Sequence, residues 1–179
     1  MGTHIRPETP ADRAAVWQVH QAAFGGPAEA NLVAALVDGG AAEVALVAER
    51  DGCIVGHILF SRLSIHTAQR SVTALSLAPL AVLPEYQRQG VGSALVLAGL
   101  DACRRAGHLI VTVLGHPAYY QQFGFSAQLA QPLHSPFGGG DAWMALELVP
   151  GSLRAVQGEV EFAAPFAALG ADEHPENPA

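Results

Sequence analysis

The segment from Leu80 to Leu95 constrains the fold of this chain more than any other part of its sequence. An apolar strand runs through a short loop of Arg, Gln and Gly residues directly into a helix. The first amides of a helix have no intrahelical partner, and the helix dipole places roughly half a positive charge beside them. Because Gly90 and Gly92 lack a Cβ atom, the backbone can turn tightly here and approach a ligand closely. The segment therefore predicts an anion site, for which pyrophosphate is a suitable ligand.

The remaining sequence predicts a mixture of helices and strands around this unit. Apolar residues at helical spacing predict helices, and apolar runs bounded by Gly, Pro and Asp predict strands. The predicted helices are 10–24, 28–37, 93–106 and 117–123. The predicted strands are 3–7, 44–49, 53–65, 72–82, 108–114 and 143–149. The periodic pattern ends at Pro150, so we predict one domain over residues 1–150 and a C-terminal extension over 151–179, with mobile last residues.

The composition excludes several classes of function. The chain has 179 residues and a net charge of −7, and it contains no lysine. The absence of lysine rules out a Walker-type phosphate lysine and a Schiff-base lysine. Five of the acids lie in residues 159–179 and the rest is nearly neutral, so we expect no nucleic-acid partner. The eight histidines are scattered along the sequence, and we predict no metal site.

The cysteines and the N-terminal sequence predict the compartment. Cys53 and Cys103 are isolated and are expected to be buried small hydrophobes of a reducing compartment. The N-terminal residues carry no apolar signal region, and the sequence contains no apolar run long enough to span a membrane. We therefore expect a cytoplasmic protein that does not interact with membranes.

Two motifs in this order carry a resemblance to a known family. The first is Gln87-x-x-Gly90-x-Gly92, and the second is Tyr120-Gln-Gln-Phe-Gly-Phe125, with a predicted strand between them. They resemble the pyrophosphate loop and the Tyr-x-x-x-Gly-Phe signature of the GNAT superfamily of N-acetyltransferases. The similarity extends over residues 4–149. Gly90-x-Gly92 also begins a dinucleotide-binding pattern, but Leu95 occupies the position of its third glycine.

The resemblance implies an α+β fold of GNAT type. Such a fold has a mixed, mostly antiparallel sheet of six to seven strands flanked by helices. Its fourth and fifth strands splay apart into a wedge that admits the acetyl-CoA arm. Pro79 lies within the predicted fourth strand and cannot donate to a strand ladder, so it marks either the opening of this wedge or a simple bulge.

The resemblance also implies which residues bind acetyl-CoA. Backbone groups of the fourth strand would hold the pantetheine, and the loop amides would hold the diphosphate, with charge added by Arg88. The implied acetyl-CoA-binding residues are Leu80, Val82, Gln87, Arg88, Gln89, Gly90, Val91, Gly92 and Ser93. Tyr120 matches the general acid that protonates the departing CoA thiolate, because a phenol is protonated at neutral pH. The adjacent Tyr119 is the alternative acid.

The implied reaction is the direct transfer of an acetyl group from acetyl-CoA to a primary amine in a ternary complex. The general base is open between His57, Glu85 and ordered water near Ser76. The acceptor is expected to be a small-molecule or peptide amine, and the sequence does not specify which one. The family resemblance also makes a homodimer an expectation. A non-catalytic acyl-CoA-binding module is the alternative function.

Overall fold

A computed structural model describes residues 2–169, which form a mixed eight-stranded sheet with helices packed against its faces. The strands are β1 (His4–Pro7), β2 (Ala42–Arg50), β3 (Cys53–His66), β4 (Ser71–Val82), β5 (Ile110–Leu114), β6 (Leu133–His134), β7 (Trp143–Glu147) and β8 (Gly158–Phe162). The helices are α1 (Arg13–Phe24), α2 (Ala28–Asp38), α3 (Val91–Arg105), α4 (Pro117–Tyr120) and α5 (Ala127–Ala130). The α+β class predicted from the sequence is confirmed.

The main sheet has the strand order β1-β2-β3-β4-β5-β7, and β8 pairs with both β3 and β6. Neighbouring strands are antiparallel except for β4 with β5 and β6 with β8, which are parallel. The parallel β4–β5 pair needs a crossover, and α3 supplies it. The anion-site loop precedes α3 and therefore lies at the C-terminal end of β4.

The strands β4 and β5 part soon after they meet. Their pairing consists of Leu75 with Val111 and Ser76 with Thr112, whereas β4 continues to Val82 against β3. The predicted wedge is therefore present, and it opens beyond Ser76. A bulge lies at the same place, because Ile58 pairs with Leu80 and Phe60 pairs with Leu77. Ala78 and Pro79 thus oppose the single residue Leu59. The bulge at Pro79 is therefore confirmed, whereas the pairing of β4 with β5 already ends at Ser76, three residues before this proline.

The alternation of side chains along β3 separates two layers of the core. Ile58 and Phe60 pack with α3 residues such as Leu95, whereas Leu59 packs with Leu36 of α2 on the opposite face. The ring of Phe60 lies so close to Gly99 that a Cβ on this glycine would be 2.4 Å from it. The glycine therefore lets α3 approach the sheet. These contacts fix the height of α3, and of the loop before it, above the sheet.

The structure extends beyond the last strand that the sequence predicts. The sequence did not predict β6, which has only two residues, or β8, in which glutamates alternate with Val160 and Phe162. Beyond β8, Phe166 is buried against the layer that contains α1 and α2. The predicted mobile segment at the end of the chain falls on 170–179, outside the described residues. Cys103 is buried as predicted, but Cys53 is exposed because it begins β3 directly after a turn.

Within residues 2–169, none of the helices combines the length and the apolar character that crossing a membrane requires.

Candidate active site

The N-terminus of α3 follows β4 after a short loop that contains Gly90. Gly90 precedes the helix with a φ of 81°, a left-handed conformation that glycine adopts without steric cost, and its carbonyl oxygen accepts the first helical bond from Ala94 at 3.0 Å. Among the described residues, no side chain caps this helix. The amides of Val91, Gly92 and Ser93 therefore lack intrahelical partners, and they form the positive end of a 15-residue helix. This arrangement suits an anion.

The loop before α3 is held by side-chain hydrogen bonds at both ends. Gln87 Nε2 donates to the carbonyl oxygen of Val82 at 3.0 Å, which fixes the turn from β4. Gln89 Nε2 donates to the carbonyl oxygen of Glu85 at 2.8 Å, and Gln89 Oε1 accepts from Arg50 Nη1 at 2.7 Å. The sequence did not predict the role of Arg50. The loop is thus set before any ligand binds.

Arg88 is the cation that the sequence predicts for this loop. Its side chain is exposed, and its backbone has a φ of 58°. A left-handed conformation at a residue other than glycine is uncommon and occurs often at ligand-binding positions. Arg88 lies two residues before Gly90, and therefore next in sequence to the start of α3.

The predicted pantetheine strand lies along one side of the wedge. Leu80 and Val82 are buried and pair with Ile58 and Gly56 of β3. Their side chains belong to the same buried cluster as Val91 and Leu95 of α3. This part of β4 is therefore held by its pairing with β3 and by packing against α3. Its other edge, on the side of β5, lies along the wedge.

Tyr120 lies at the open end of the wedge, immediately beyond β5. Its ring is fully buried, in edge-to-face contact with Tyr119 and Phe125 at centroid distances of 5.0 and 5.8 Å. A Cβ on Gly115, the residue after β5, would be 2.5 Å from this ring. The ring therefore folds back over the end of β5, and Leu80 and Val82 belong to the same buried cluster. This placement brings Tyr120 to the side of the wedge opposite β4.

Tyr119 projects in a different direction, toward the N-terminus of α3. Its buried hydroxyl would be 2.9 Å from a Cβ at Gly92, and it lies beside Ser93 without a hydrogen bond of good geometry among the described residues. Burial raises the pKa of this phenol, and the neighbouring Ser93 opposes the shift. Two adjacent helical residues face different sides, so the two tyrosines reach different parts of the wedge.

The predicted base candidates lie in contrasting environments. Glu85 is exposed on a single turn after β4, whereas His57 is fully buried on β3. His57 Nε2 lies 2.9 Å from Glu8 Oε2, and His57 Nδ1 lies 2.8 Å from Nε2 of His20 on α1. Neither Glu8 nor His20 was predicted from the sequence as a partner of His57. The one available signal was the position of His20 on the apolar side of α1, next to Val16 and Val19.

The arrangement can perform group transfer from an anionic carrier. It combines an anion site at α3, a cleft between parted strands, a phenol at the mouth of that cleft and a buried pair of histidines. Within residues 2–169, no three side chains of His, Cys, Asp and Glu are grouped so that they could hold a metal. A strand, loop and helix of this kind beside a splayed sheet match what the resemblance to the GNAT superfamily implies.

The comparisons with known proteins agree with this class. A family model described as an acetyltransferase (GNAT) domain matches residues 4–127. The chain is 33% identical over 160 residues to the uncharacterized N-acetyltransferase YhbS of Escherichia coli, covering 88% of this chain and 95% of YhbS. It is 43% identical to the uncharacterized N-acetyltransferase YjhQ of Escherichia coli over 116 residues, which span 64% of each chain. This chain belongs to the GNAT family of acetyltransferases.

Solved structures show the same fold. The 1.55 Å crystal structure of YhbS from Escherichia coli in complex with CoA superposes with a TM-score of 0.85 at 32% identity, covering 92% of both chains. A GNAT family acetyltransferase from Brucella melitensis in complex with acetyl-CoA gives a TM-score of 0.77 at 34% identity, covering 92% of this chain and 98% of that one. The GNAT fold predicted from the sequence is confirmed.

The buried His20 predicts a loss of stability in weak acid. Burial, together with the neighbouring His57, holds the pKa of His20 well below its ordinary value of 6.5. The folded ring therefore stays neutral as the pH falls below 6.5, whereas the ring of the unfolded chain takes up a proton. Because the unfolded state then binds more protons, the free energy of unfolding decreases, by at most about 1.4 kcal/mol per pH unit from this group.

Urea unfolding between pH 7 and pH 5 measures this effect. We expect His20→Gln, which retains a donor toward His57, to flatten the pH dependence. The matched control is His66→Gln, which removes an exposed histidine that pairs with Glu161. Equal slopes for wild type and His20→Gln would contradict this prediction.

Proposed function

We propose that this protein transfers an acetyl group from acetyl-CoA to a primary amine, by direct attack in a ternary complex. The observation that carries the proposal is the uncapped N-terminus of α3 beside the parted strands β4 and β5. When the diphosphate binds at this terminus, the pantetheine arm enters the wedge along Val82 and Leu80. The two structurally similar enzymes that bind CoA and acetyl-CoA support the same donor.

The proposed binding site has three parts. The amides of residues 89–93 hold the diphosphate, where the helix dipole and the charge of Arg88 favour an anion. Backbone groups of Leu80 and Val82 hold the pantetheine, and the amide of Val82 polarises the thioester carbonyl as charge develops on its oxygen. Gln87 and Gln89 act through the hydrogen bonds that fix the loop. Preorganised donors of this kind require no reorganisation during the reaction.

Tyr120 is the proposed general acid. The amine attacks the thioester carbonyl carbon, the carbon–sulfur bond breaks, and the CoA sulfur leaves with the electron pair as a thiolate. The phenol of Tyr120 then donates its proton to that sulfur. Its position at the end of β5 supports this role, whereas the Tyr119 hydroxyl lies at the diphosphate end.

A cavity beside the wedge supports a cationic acceptor. It has a volume of about 780 Å³ and lies between α5, β6 and the start of β7. Trp143 lines it and pairs with Leu114, the last residue of β5, so the cavity lies near the mouth of the wedge. Its described lining contains Asp141 and His134 but no arginine, and His134 pairs with Glu159. The carboxylate of Asp141 suits an amine that arrives as ammonium.

A ligand titration tests the donor assignment. Acetyl-CoA and CoA at about 100 times their Kd should each stabilise the fold by about 2.7 kcal/mol, which raises the Tm by about 5–10 °C, while NADH has no effect. Arg88→Ala should weaken the shift, and Arg70→Ala, which removes an exposed arginine just before β4, should not. A chain that responds to neither CoA species would contradict the proposal.

Tyr120→Phe tests the acid and separates the enzyme from a non-catalytic acyl-CoA-binding module. We expect kcat to fall at least about tenfold, while the affinity for acetyl-CoA is unchanged. The expected fall is small for the loss of a general acid, because a thiolate is a good leaving group even without protonation. The readout is CoA release with a panel of primary amines. Tyr119→Phe is the matched comparison and should weaken CoA binding more than it lowers kcat. If kcat is unchanged in Tyr120→Phe, Tyr120 is not the acid.

A further inference from the structure

Three ionisable side chains from three elements form one continuous hydrogen-bonded chain. Glu8 follows β1, His57 lies on β3 and His20 lies on α1. The contacts are 2.9 Å from Glu8 to His57 and 2.8 Å from His57 to His20. Both histidines are fully buried, and the Glu8 side chain is 9% exposed. We call this set the Glu8–His57–His20 relay.

With Glu8 ionised and both imidazole rings neutral, the two contacts assign one proton to each ring. An ionised carboxylate only accepts hydrogen bonds, so His57 must donate to Glu8 from Nε2. His57 Nδ1 then carries a lone pair and accepts from His20 Nε2–H. The last nitrogen, His20 Nδ1, is left with a lone pair. It is buried and has no hydrogen-bond partner among residues 2–169.

An unpartnered buried lone pair costs stability, and native structures keep few of them. Phe24 stacks parallel to the His20 ring at 6.0 Å and offers no donor. A purely structural histidine gains nothing from an unsatisfied nitrogen. The orientation of the ring by an imidazole and a carboxylate is, in contrast, what a proton acceptor requires.

The relay lies against the strand that holds the thioester in the proposed complex. His57 pairs with Ala81, which lies between Leu80 and Val82. Directly opposed residues of a sheet share a face, and Leu80 and Val82 face α3. The side chains of His57 and Ala81 therefore face α1, which packs across β3 and β4. His20 thus lies on the face of β4 opposite α3 and at the level of the open wedge.

The other charged groups on the elements around α1 are largely engaged with one another. Arg6 pairs with Asp12 and Glu49 beside β1, and Arg13 pairs with Asp38 between α1 and α2. The strand β4 contains no ionisable residue, and Glu29 lies in the first turn of α2. Burial and His57 hold the pKa of His20 below its ordinary value, so its ring is neutral at pH 7.

We propose that His20 is the general base of the acetyl transfer and that His57 and Glu8 are its positioning residues. This inference rests on the proposed function. The amine nitrogen bonds to the thioester carbonyl carbon and loses its proton to His20 Nδ1, while the CoA sulfur takes the proton of Tyr120. The products are the N-acetylated amine and CoA, and water returns the proton from His20 to the tyrosinate. Glu8 stabilises the imidazolium through His57.

Substitutions separate this role from a structural one. His20→Gln keeps an N–H donor in the place of Nε2 and removes the lone pair at Nδ1 together with the ring that stacks on Phe24. We expect its kcat to fall about 10²- to 10⁴-fold, with an unchanged KM for acetyl-CoA and a rate that rises continuously with pH. Glu8→Gln should lower kcat and shift the pH dependence of kcat. Glu8→Asp, which keeps a carboxylate, should have a kcat and a pH dependence between those of Glu8→Gln and wild type. The control His66→Gln should match wild type.

Heteronuclear NMR on protein labelled with nitrogen-15 at histidine supplies a readout independent of the acceptor. With acetyl-CoA bound at pH 7, His20 should carry its proton on Nε2 and none on Nδ1. A proton on Nδ1 overturns the proposal. So does a folded His20→Gln protein with wild-type kcat and pH profile, which would assign the base to ordered water. A wild type that acetylates no amine of the panel contradicts the proposed function itself.

Discussion

The separation of β4 from β5 is the feature on which the rest of the site depends. Two residue pairs join these parallel strands, and β4 then continues for six residues against β3. A sheet that splits in this way leaves a gap between two strands, because their backbone groups no longer pair with each other across it. The crossover helix α3 begins after the end of β4, beyond the residues at which the two strands have parted. The cleft and the anion site therefore both lie where β4 and β5 diverge.

Electrostatic preorganisation complements this cleft. The amides at the start of α3 are oriented by the helix, and Gln87 and Gln89 hold the loop that precedes it. On the opposite face of β4, Glu8 orients His57 and His20 through a buried chain of hydrogen bonds. In the mechanism that we propose, the donors for the departing group and the acceptor for the amine proton lie on different sides of β4.

The sequence could predict the parts whose signal is local. Gly90 and Gly92 between an apolar strand and an apolar helical stripe indicated the anion site, and Tyr120 was separated from Tyr119 by its spacing to Gly124-Phe125. The relay could not be predicted, because Glu8, His20 and His57 are brought together only by the packing of α1 on β3. The strand β8 was missed because a five-residue strand with alternating glutamates does not differ from a polar loop in composition.

A crystal structure of this protein with acetyl-CoA tests the central claim most directly. We predict that the diphosphate contacts the amides of Val91, Gly92 and Ser93, and that the pantetheine lies between β4 and β5. The acetyl group should lie beside Leu80 and Val82, with the Tyr120 hydroxyl within hydrogen-bond distance of the sulfur. Acetyl-CoA bound elsewhere, with the wedge closed and the start of α3 in contact with solvent, would contradict the account.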